Sequence, residues 1–302
     1  LGSILLSAKG SRVHLAATNL ELAITASVSG KVVEEGAIAV PHQTLVNIIN
    51  NSTSERINIE TAKQGGVTVK GDNYEANLQL ASRDEFPAIP EIKPKESAIS
   101  VKSSTLQDAL EKTVIASETS DLRPEISGIL FLGELNMLKL VATDSFRLAE
   151  AKISGQQFKN NSGEGFKFTL PLKTAQELVR ILKGEDDTSF YVEKNQFLLI
   201  SENTTLSSRL IEGNFPDYRA IIPKDATSTA TLLKQDLITA LKTSLIFSDA
   251  FNQLTLRLSP NDKRFEIESK NVNVGESVQS VESVLEGEDI SININHRYFT
   301  DC

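Results

Sequence analysis

The feature that most constrains the fold of this chain is an internal repeat with a domain-sized period. The segment Ala17-Thr18-Asn19 reappears as Ala142-Thr143-Asp144 after a shift of 125 residues, with similar sequence on both sides. Pro41 and Pro171 head a second pair of similar segments at a shift of 130, and two Phe-Pro pairs, at 86–87 and 215–216, form a third at a shift of 129. Because the matching blocks occur in the same order, they indicate tandem copies of one structural unit.

A third copy is indicated by a helical pattern. Residues 234–249 repeat the apolar spacing of residues 103–118 at a shift of 131. The matched apolar positions are Leu237, Ala240, Leu241 and Leu245 in one segment and Leu106, Ala109, Leu110 and Val114 in the other. Both sets follow the spacing i, i+3, i+4, i+8, which is typical of the buried stripe of an amphipathic helix. Ser104 and Gln107 predict a capping box at the start of the first helix.

Each copy reads as a strand, a helix, several alternating strands, a second helix and more strands, followed by a proline-rich linker such as residues 86–95. This order predicts an α+β fold with antiparallel sheets and few helices. We therefore expect three tandem domains of similar fold, at residues 1–95, 96–224 and 225–302. The first copy lacks the leading helix and the third breaks off early, so the sequence is expected to be a fragment without both ends of the natural protein.

Composition excludes several classes of protein. No apolar run is long enough for a membrane span and no signal peptide is recognisable, which predicts a soluble, cytoplasmic protein. Cys302 is the only cysteine, so a disulfide within the chain and a cysteine-based metal site are excluded. The three histidines are scattered along the chain, and it has no phosphate-binding loop or nucleophile motif. We therefore expect a protein that is not an enzyme and that has no cofactor or metal site. The net charge of -9 argues against tight binding to nucleic acid through the whole surface.

One helix nevertheless carries a positive edge. Residues 171–184 predict a helix with Pro171 in its first turn and Gly184 at its end. Its buried stripe comprises Ala175, Leu178, Val179 and Leu182, and its opposite edge comprises Lys173, Gln176, Arg180 and Lys183. This edge is typical either of an ordinary solvated helix face or of a surface that meets phosphates, and the residues alone do not decide between the two.

Two longer motifs carry a family resemblance. The segments VATDSFRLA (141–149) and EGNFPDYRAIIPK (212–224) resemble signature segments of the bacterial DNA sliding clamp, the beta subunit of DNA polymerase III. The similarity extends over nearly the whole chain. It implies a homodimeric ring of two head-to-tail protomers, with antiparallel sheets outside and helices lining a hole around double-stranded DNA. Such a ring retains DNA by enclosure, so weak and sequence-independent phosphate contacts suffice.

The resemblance also implies functional residues. The DNA-facing set is Arg123, Lys173, Arg180, Lys183 and, more weakly, Lys112. The wall of a pocket for short peptides of the replicative polymerase, the clamp loader and repair polymerases is Ile126, Thr143, Ser145, Phe146, Arg147, Leu148, Pro216 and Ile221. The dimer interface is Ile246, Phe247 and Ala76. The sequence departs from the family pattern at Pro124 and Glu125, at Phe146 and at Ala220, which leaves the DNA contact and the partner preference open.

The function implied is that of a processivity factor, without catalytic activity or cofactor, on the nucleoid of the bacterial cytoplasm. The main alternative is an extracellular binding module built from repeated domains, with no role on nucleic acid. A third alternative is an enzyme whose catalytic group lies outside this sequence. Retention on circular DNA, with release after linearisation, separates the first hypothesis from the other two.

Overall fold

The computed structural model describes residues 2–62, 65–89, 91–93, 95–120, 122–134, 136–193, 195–248 and 251–301. Pro90 and Pro94 of the predicted linker, Asp249 and Cys302 lie outside these described residues. The chain divides into two compact units, Leu1–Phe215 and Pro216–Cys302. The first unit contains two modules of the repeat, and the second contains the third module.

The first module consists of strands and one helix. In chain order these are β1 (Ser3–Lys9), β2 (Arg12–Thr18), β3 (Leu22–Ser29), β4 (Gly36–Pro41), α1 (His42–Asn50), β5 (Asn58–Ala62), β6 (Gly66–Lys70) and β7 (Glu75–Leu78). Strands β5, β6 and β7 form a small sheet of their own.

The central module carries two helices. Its elements are β8 (Ile99–Lys102), α2 (Ser103–Val114), β9 (Gly128–Glu134), β10 (Met137–Thr143), β11 (Leu148–Ser154), β12 (Phe158–Asn160), β13 (Phe166–Pro171), α3 (Leu172–Ile181), β14 (Asp187–Glu193), β15 (Gln196–Ser201) and β16 (Thr204–Arg209). A single turn of 3-10 helix at Pro124–Ile126 precedes β9.

The third module begins after a second 3-10 turn at Tyr218–Ile221. Its elements are β17 (Ser228–Leu232), α4 (Lys234–Leu245), β18 (Gln253–Ser259), β19 (Arg264–Asn271), β20 (Gly275–Val281), β21 (Ser283–Gly287), β22 (Ile290–Asn295) and α5 (His296–Thr300). None of the described helices of the three modules combines the length and the apolar character that a membrane crossing requires.

The three modules share one strand order. In each module three consecutive strands lie side by side in reverse chain order, and the strand that leads into a helix pairs with the first of the three. The resulting antiparallel orders are β3-β2-β1-β4, β11-β10-β9-β13 and β20-β19-β18-β22. In each module a helix follows the last of these strands directly, as α1, α3 or α5. The prediction of an α+β fold with three domains of similar fold is therefore confirmed.

The first two modules are joined by a continuous sheet. Strand β16 of the central module pairs antiparallel with β3 of the first, with Leu206 opposite Ile24, so nine strands run in the order β12-β8-β14-β15-β16-β3-β2-β1-β4. Backbone hydrogen bonds across the module boundary make this junction part of one sheet rather than a flexible hinge. This pairing explains why the two modules form one compact unit.

The core of the central module lies between its helices and its two sheets. Three of its phenylalanines, Phe131, Phe190 and Phe197, are fully buried, with ring centroids 5.6 to 6.1 Å apart. Each such side chain contributes on the order of 1.5–3 kcal/mol through burial. The predicted stripes are confirmed as the inward faces of α2, α3 and α4, because Leu106, Leu110, Ala175, Leu178 and Leu241 are all buried there.

Three details of the helix predictions were wrong. The capping box fails because α2 begins at Ser103 with Lys102 before it, no side chain caps its first turn, and Gln107 instead donates to Glu111 and to the Val179 carbonyl. Pro171 precedes the first turn of α3 rather than lying within it. Helix α3 ends at Ile181, so Lys183 lies in the following turn and is not on the helical edge of Lys173 and Arg180.

Candidate nucleic-acid and partner-binding surfaces

Helices α2 and α3 lie side by side, and both expose cations. The Gln107 side chain donates to the Val179 carbonyl at 3.1 Å and so joins the two helices directly. Lys112 on α2, and Lys173 and Arg180 on α3, are exposed, because inward positions are taken by the apolar stripes that pack on the sheet. The sequence thus places these three predicted DNA-facing residues on the solvent side of one helix pair.

The three cations differ in how far they are neutralised. Lys112 lies 2.6 Å from Asp108, and Arg180 lies 3.0 Å from Glu177, both within the same helix. Lys173 has no ion pair among the described residues. Exposed pairs of this kind are worth roughly 0–1 kcal/mol, so a phosphate can compete for the cations. The helix pair therefore offers one free positive charge and two that are weakly held.

Arg123 lies elsewhere, at the entrance to the turn before β9. Its guanidinium donates to the Ser145 hydroxyl at 2.8 Å and lies 3.5 Å from the Glu125 carboxylate. Half of its side chain is exposed. The structure therefore brings a predicted DNA-facing residue together with Ser145, which was predicted for the peptide pocket. Pro124 and Glu125, where the sequence departs from the family pattern, form the adjoining 3-10 turn.

The turn between β10 and β11 holds most of the predicted pocket residues. The Asp144 carboxylate accepts from the backbone N–H groups of Phe146 and Arg147, each at 2.9 Å, and binds the Arg147 guanidinium at 3.0 Å. The Thr143 hydroxyl donates to the Arg147 carbonyl at 2.7 Å and accepts from the Ser145 N–H at 3.1 Å. These bonds hold Ser145 in the left-handed region, at φ 78°. A non-glycine residue persists there only when its surroundings fix it.

The repeat builds the same turn in the first module. Asn19 accepts from Glu21 N–H and Leu22 N–H at 3.0 and 2.8 Å, and the Thr18 hydroxyl donates to the Leu22 carbonyl at 2.9 Å. Leu20 has φ 78°, as Ser145 does. The motif Ala-Thr-Asn/Asp therefore encodes one backbone shape, because a short side-chain acceptor satisfies the amides that the tight turn leaves unpaired.

The predicted pocket residues differ greatly in exposure. On the first unit, Phe146 is 82% exposed, whereas Ile126 is 4% exposed and Leu148 is half-buried at the start of β11. On the second unit, Pro216 is exposed and Ile221 is 68% exposed. Phe146 and Ile221 are therefore surface groups, whereas Ile126 is a core residue.

The third module presents an exposed apolar cluster beside the end of α4. Ile246 is 65% exposed and Phe247 is half-buried, with its ring against Gly275. Beside them, the tip of the β19–β20 hairpin exposes Val272 (97%) and Val274 (57%). The Asn271 side chain donates to the Ser248 carbonyl at 2.8 Å and so fixes the hairpin beside the helix end. We call these four residues, Ile246, Phe247, Val272 and Val274, the apolar cluster.

Sequence reasoning missed the two valines and two further cations. The alternation of valine and asparagine at 271–274 is the signal that could have identified the hairpin tip. Lys234 and Lys242 are exposed on α4. Helix α1, by contrast, contains no charged residue and exposes Val46 and Ile49. Ala76, predicted for the dimer interface, is half-buried on β7 opposite Val69.

The described residues show no arrangement of a metal site, because no three His, Cys, Asp or Glu side chains converge among them. The exposed cations are suited to contacts with phosphates, and the exposed apolar side chains are suited to contacts with apolar groups of other macromolecules.

Comparison with protein families gives three matches, one to each module. Residues 1–90 match the DNA polymerase III beta subunit, N-terminal domain. Residues 100–217 match the central domain of the same subunit, and residues 219–302 match its C-terminal domain. The matches follow one another in order and together span nearly the whole chain.

Individual relatives agree with these matches. The chain is 26% identical to a beta sliding clamp of Synechocystis, with 98% of this chain and 81% of the relative covered. It is also 26% identical to a beta sliding clamp of Staphylococcus aureus, over 94% of this chain and 76% of the relative. Among solved structures, the DNA polymerase III subunit beta from Pseudomonas aeruginosa is similar with a TM-score of 0.88 at 25% identity, covering 100% of this chain and 81% of that one.

Proposed function

The chain belongs to the DNA polymerase III beta subunit family, the bacterial sliding clamps, and from this membership we propose how its surfaces serve DNA and partner proteins. Its function is that of a DNA sliding clamp in replication. Members of the family are non-catalytic processivity factors. The finer proposal is that the protein encircles duplex DNA as a homodimeric ring and tethers polymerases and repair proteins through a peptide pocket.

The observation that carries the DNA proposal is the exposure of Lys112, Lys173 and Arg180 on two adjacent helices of a protein with net charge -9. A closed ring needs only modest positive potential towards the duplex, since topology prevents dissociation. Contacts to phosphate alone carry no sequence information, so no base-specific bond must break when the protein slides. The proposed DNA-facing set also includes Arg123 and Lys183, which the sequence predicted, and two exposed lysines of α4, Lys234 and Lys242.

Retention on DNA tests this proposal. The protein is assembled on a nicked circle by a bacterial clamp loader and separated from free protein by gel filtration. We expect it to stay on closed circles and to leave after a restriction enzyme linearises them, because linear ends remove the topological barrier. Equal loss from circular and linear DNA would contradict enclosure and would favour the binding-module alternative.

The proposed dimer contact repeats the strand pairing that joins the two modules of the first unit. There, β16 of one module pairs with β3 of the next. The repeat makes β7 the counterpart of β16, and β20 the counterpart of β3. Each has one unpaired edge among the described strands. We infer that β20 of one protomer pairs with β7 of its partner, with the apolar cluster and Ala76 at the interface.

Sedimentation velocity tests the dimer. Replacing Ile246 with Asp places a charge in the apolar cluster and is expected to shift the protein towards the monomer, since an unpaired buried charge is strongly unfavourable. The control is Val284→Asp on β21, an apolar position that is 67% exposed outside the cluster. If both variants sediment as the wild type does, the assignment of the cluster fails.

The pocket proposal rests on the rigid turn at 143–147 and on the exposed apolar side chain of Phe146 within it. Extended peptides with apolar side chains fit such surfaces when a few polar groups fix their direction. We expect Leu148→Asp to abolish binding of a peptide from the C-terminus of the replicative polymerase while the circular dichroism spectrum is unchanged. The control is Val33→Asp, which changes a 90% exposed residue of the first module. Unchanged affinity in Leu148→Asp would remove the pocket assignment.

A further inference from the structure

A cavity of about 460 Å³ lies where the first two modules meet, away from the helix surface and the pocket turn. Its floor is the nine-stranded sheet. One row of paired residues crosses four strands as Leu5, Ala16, Thr25 and Thr205, and a second row contributes Ser7 and His14. Its roof is the linker segment, through Phe86, Pro87, Ala88, Ile89 and Ile92. The volume lies within the range of roughly 300–1,000 Å³ that is usual for small-molecule sites.

The cavity exists because the first module has small side chains where its repeat has larger ones. At a shift of 125, Ala16 corresponds to Val141, and Ser7 corresponds to Leu132. The strand register is the same in both modules, since Leu5 pairs with Ala16 as Leu130 pairs with Val141. Valine and leucine at these positions would fill part of the space above the sheet. The space is therefore a property of this junction rather than of the repeated fold.

The walls carry polar groups without partners. The hydroxyls of Ser7, Thr25 and Thr205 and the His14 ring make no side-chain hydrogen bond among the described residues. At the mouth, Arg83 is exposed and has no ion pair among the described residues, whereas the Glu91 carboxylate lies 3.7 Å from the Lys93 ammonium. Apolar groups form the roof, and hydrogen-bonding groups lie along the floor.

We propose that this cavity binds a small organic carboxylate with an apolar body, seated between the linker and the sheet with its carboxylate at Arg83. The apolar body contacts Phe86, Ile89 and Ile92, and its displacement of water from these side chains supplies most of the affinity. The guanidinium binds a carboxylate through two parallel N–H bonds, which gives the site its preference for an anion. This site is independent of the peptide pocket and of the DNA-facing helices.

The experiment uses 4-phenylbutyrate as the probe and its neutral amide, 4-phenylbutyramide, as the matched control. Amide chemical shifts of the whole chain are followed during titration. We expect saturable shifts at Ala16, Thr25 and Thr205, and at least tenfold weaker binding of the amide, because the amide lacks the charge that strengthens a hydrogen bond from a guanidinium. Arg83→Gln is expected to remove the preference for the acid, and Lys31→Gln, which removes an exposed cation elsewhere in the module, is expected to leave it unchanged.

Filling the cavity provides the second arm. Ala16→Val and Ser7→Leu copy residues that the central module already holds in the same register, so the fold is expected to tolerate them. Each should weaken binding of the acid at least tenfold, while the thermal midpoint stays at or above that of the wild type. Non-saturable shifts, equal binding of acid and amide, or full binding by both filled variants would each overturn the proposal. If the polymerase peptide still binds to the pocket turn, such a failure does not bear on the sliding-clamp function.

Discussion

Replacing Asp144 with Ala or with Asn separates two roles of one carboxylate. Asp144 accepts from two backbone N–H groups at 2.9 Å and from the Arg147 guanidinium at 3.0 Å, and its side chain is 6% exposed. Alanine removes all three bonds. Asparagine keeps an acceptor oxygen for the two amides but loses the charge and the bond from Arg147, because its NH2 group cannot accept a hydrogen bond. The first module provides the precedent, because Asn19 accepts from the two matching amides there.

The magnitudes follow from these bonds. A bond to a charged group contributes roughly 1.5–3 kcal/mol and a neutral one about 1 kcal/mol, and neighbouring bonds are not additive. Since Phe146 is an exposed residue, water can replace the bond to its amide in part, and we expect Asp144→Ala to destabilise the turn by about 2–4 kcal/mol. For Asp144→Asn, which sacrifices one partly exposed ion pair, we expect a loss of about 1 kcal/mol.

Hydrogen exchange measures the effect at the turn itself. The amides of Phe146 and Arg147 should exchange about 30- to 1,000-fold faster in Asp144→Ala and about fivefold faster in Asp144→Asn, because 1.4 kcal/mol corresponds to a factor of ten. The amides of Glu21 and Leu22 in the first module serve as the internal reference. Equal exchange in both variants would refute the claim that the oxygen acceptor, rather than the charge, shapes this turn.

Three further predictions concern other parts of the molecule. Replacing both Lys173 and Arg180 with Gln should make the plot of log affinity for duplex DNA against log salt concentration less steep by about 2, since each phosphate contact contributes roughly 0.9 to the slope. An unchanged slope would exclude phosphate contact by these two side chains. Gly128→Ala should cost about 3 kcal/mol in urea unfolding, the upper end of the usual range for overpacking, because a Cβ there would lie 2.1 Å from the Leu170 carbonyl oxygen. Gly36→Ala meets nothing within 4 Å and serves as its control. Burial lowers the pKa of His296, and its Nδ1 has no hydrogen-bond partner among the residues that the structure describes. The second unit should therefore lose stability as the pH falls below about 6.5 towards the folded-state pKa, and His296→Gln should abolish that dependence.

The turn shows how far the sequence alone reaches. The recurrence of Ala-Thr-Asn/Asp predicted a common structural unit, and both copies form the same hydrogen bonds, because this chemistry is local to five residues. The helical stripes were predictable for the same reason, since apolar spacing fixes which face of a helix turns inward. The end of α3 was not predictable from the apolar spacing. Leu182 follows the last helical residue, Ile181, in an extended backbone conformation, but it is buried and so continues the apolar stripe beyond the helix.

The candidate sites depended more on the tertiary structure. Sequence pattern placed Lys173 and Arg180 on an exposed edge, but the hydrogen bond between Arg123 and Ser145 joins positions 22 residues apart in the chain. The apolar cluster similarly combines the end of α4 with a hairpin tip about 25 residues later, so that Val272 and Val274 acquire a role that no local pattern assigns to them.

By itself, the sequence determined the repeated module, its antiparallel strands, the inward faces of its helices and the family to which the chain belongs. The first three follow from local backbone chemistry and from the period of apolar residues, which each segment carries in full, and the family follows from the resemblance of the motifs at 141–149 and 212–224. Only the tertiary structure decided that β16 extends the sheet of the first module through β3, and that small residues beneath the linker leave a cavity there. Both depend on strand edges and side-chain volumes of residues that are far apart in the chain and meet only at the module boundary. Such contacts produce no periodic pattern in the sequence.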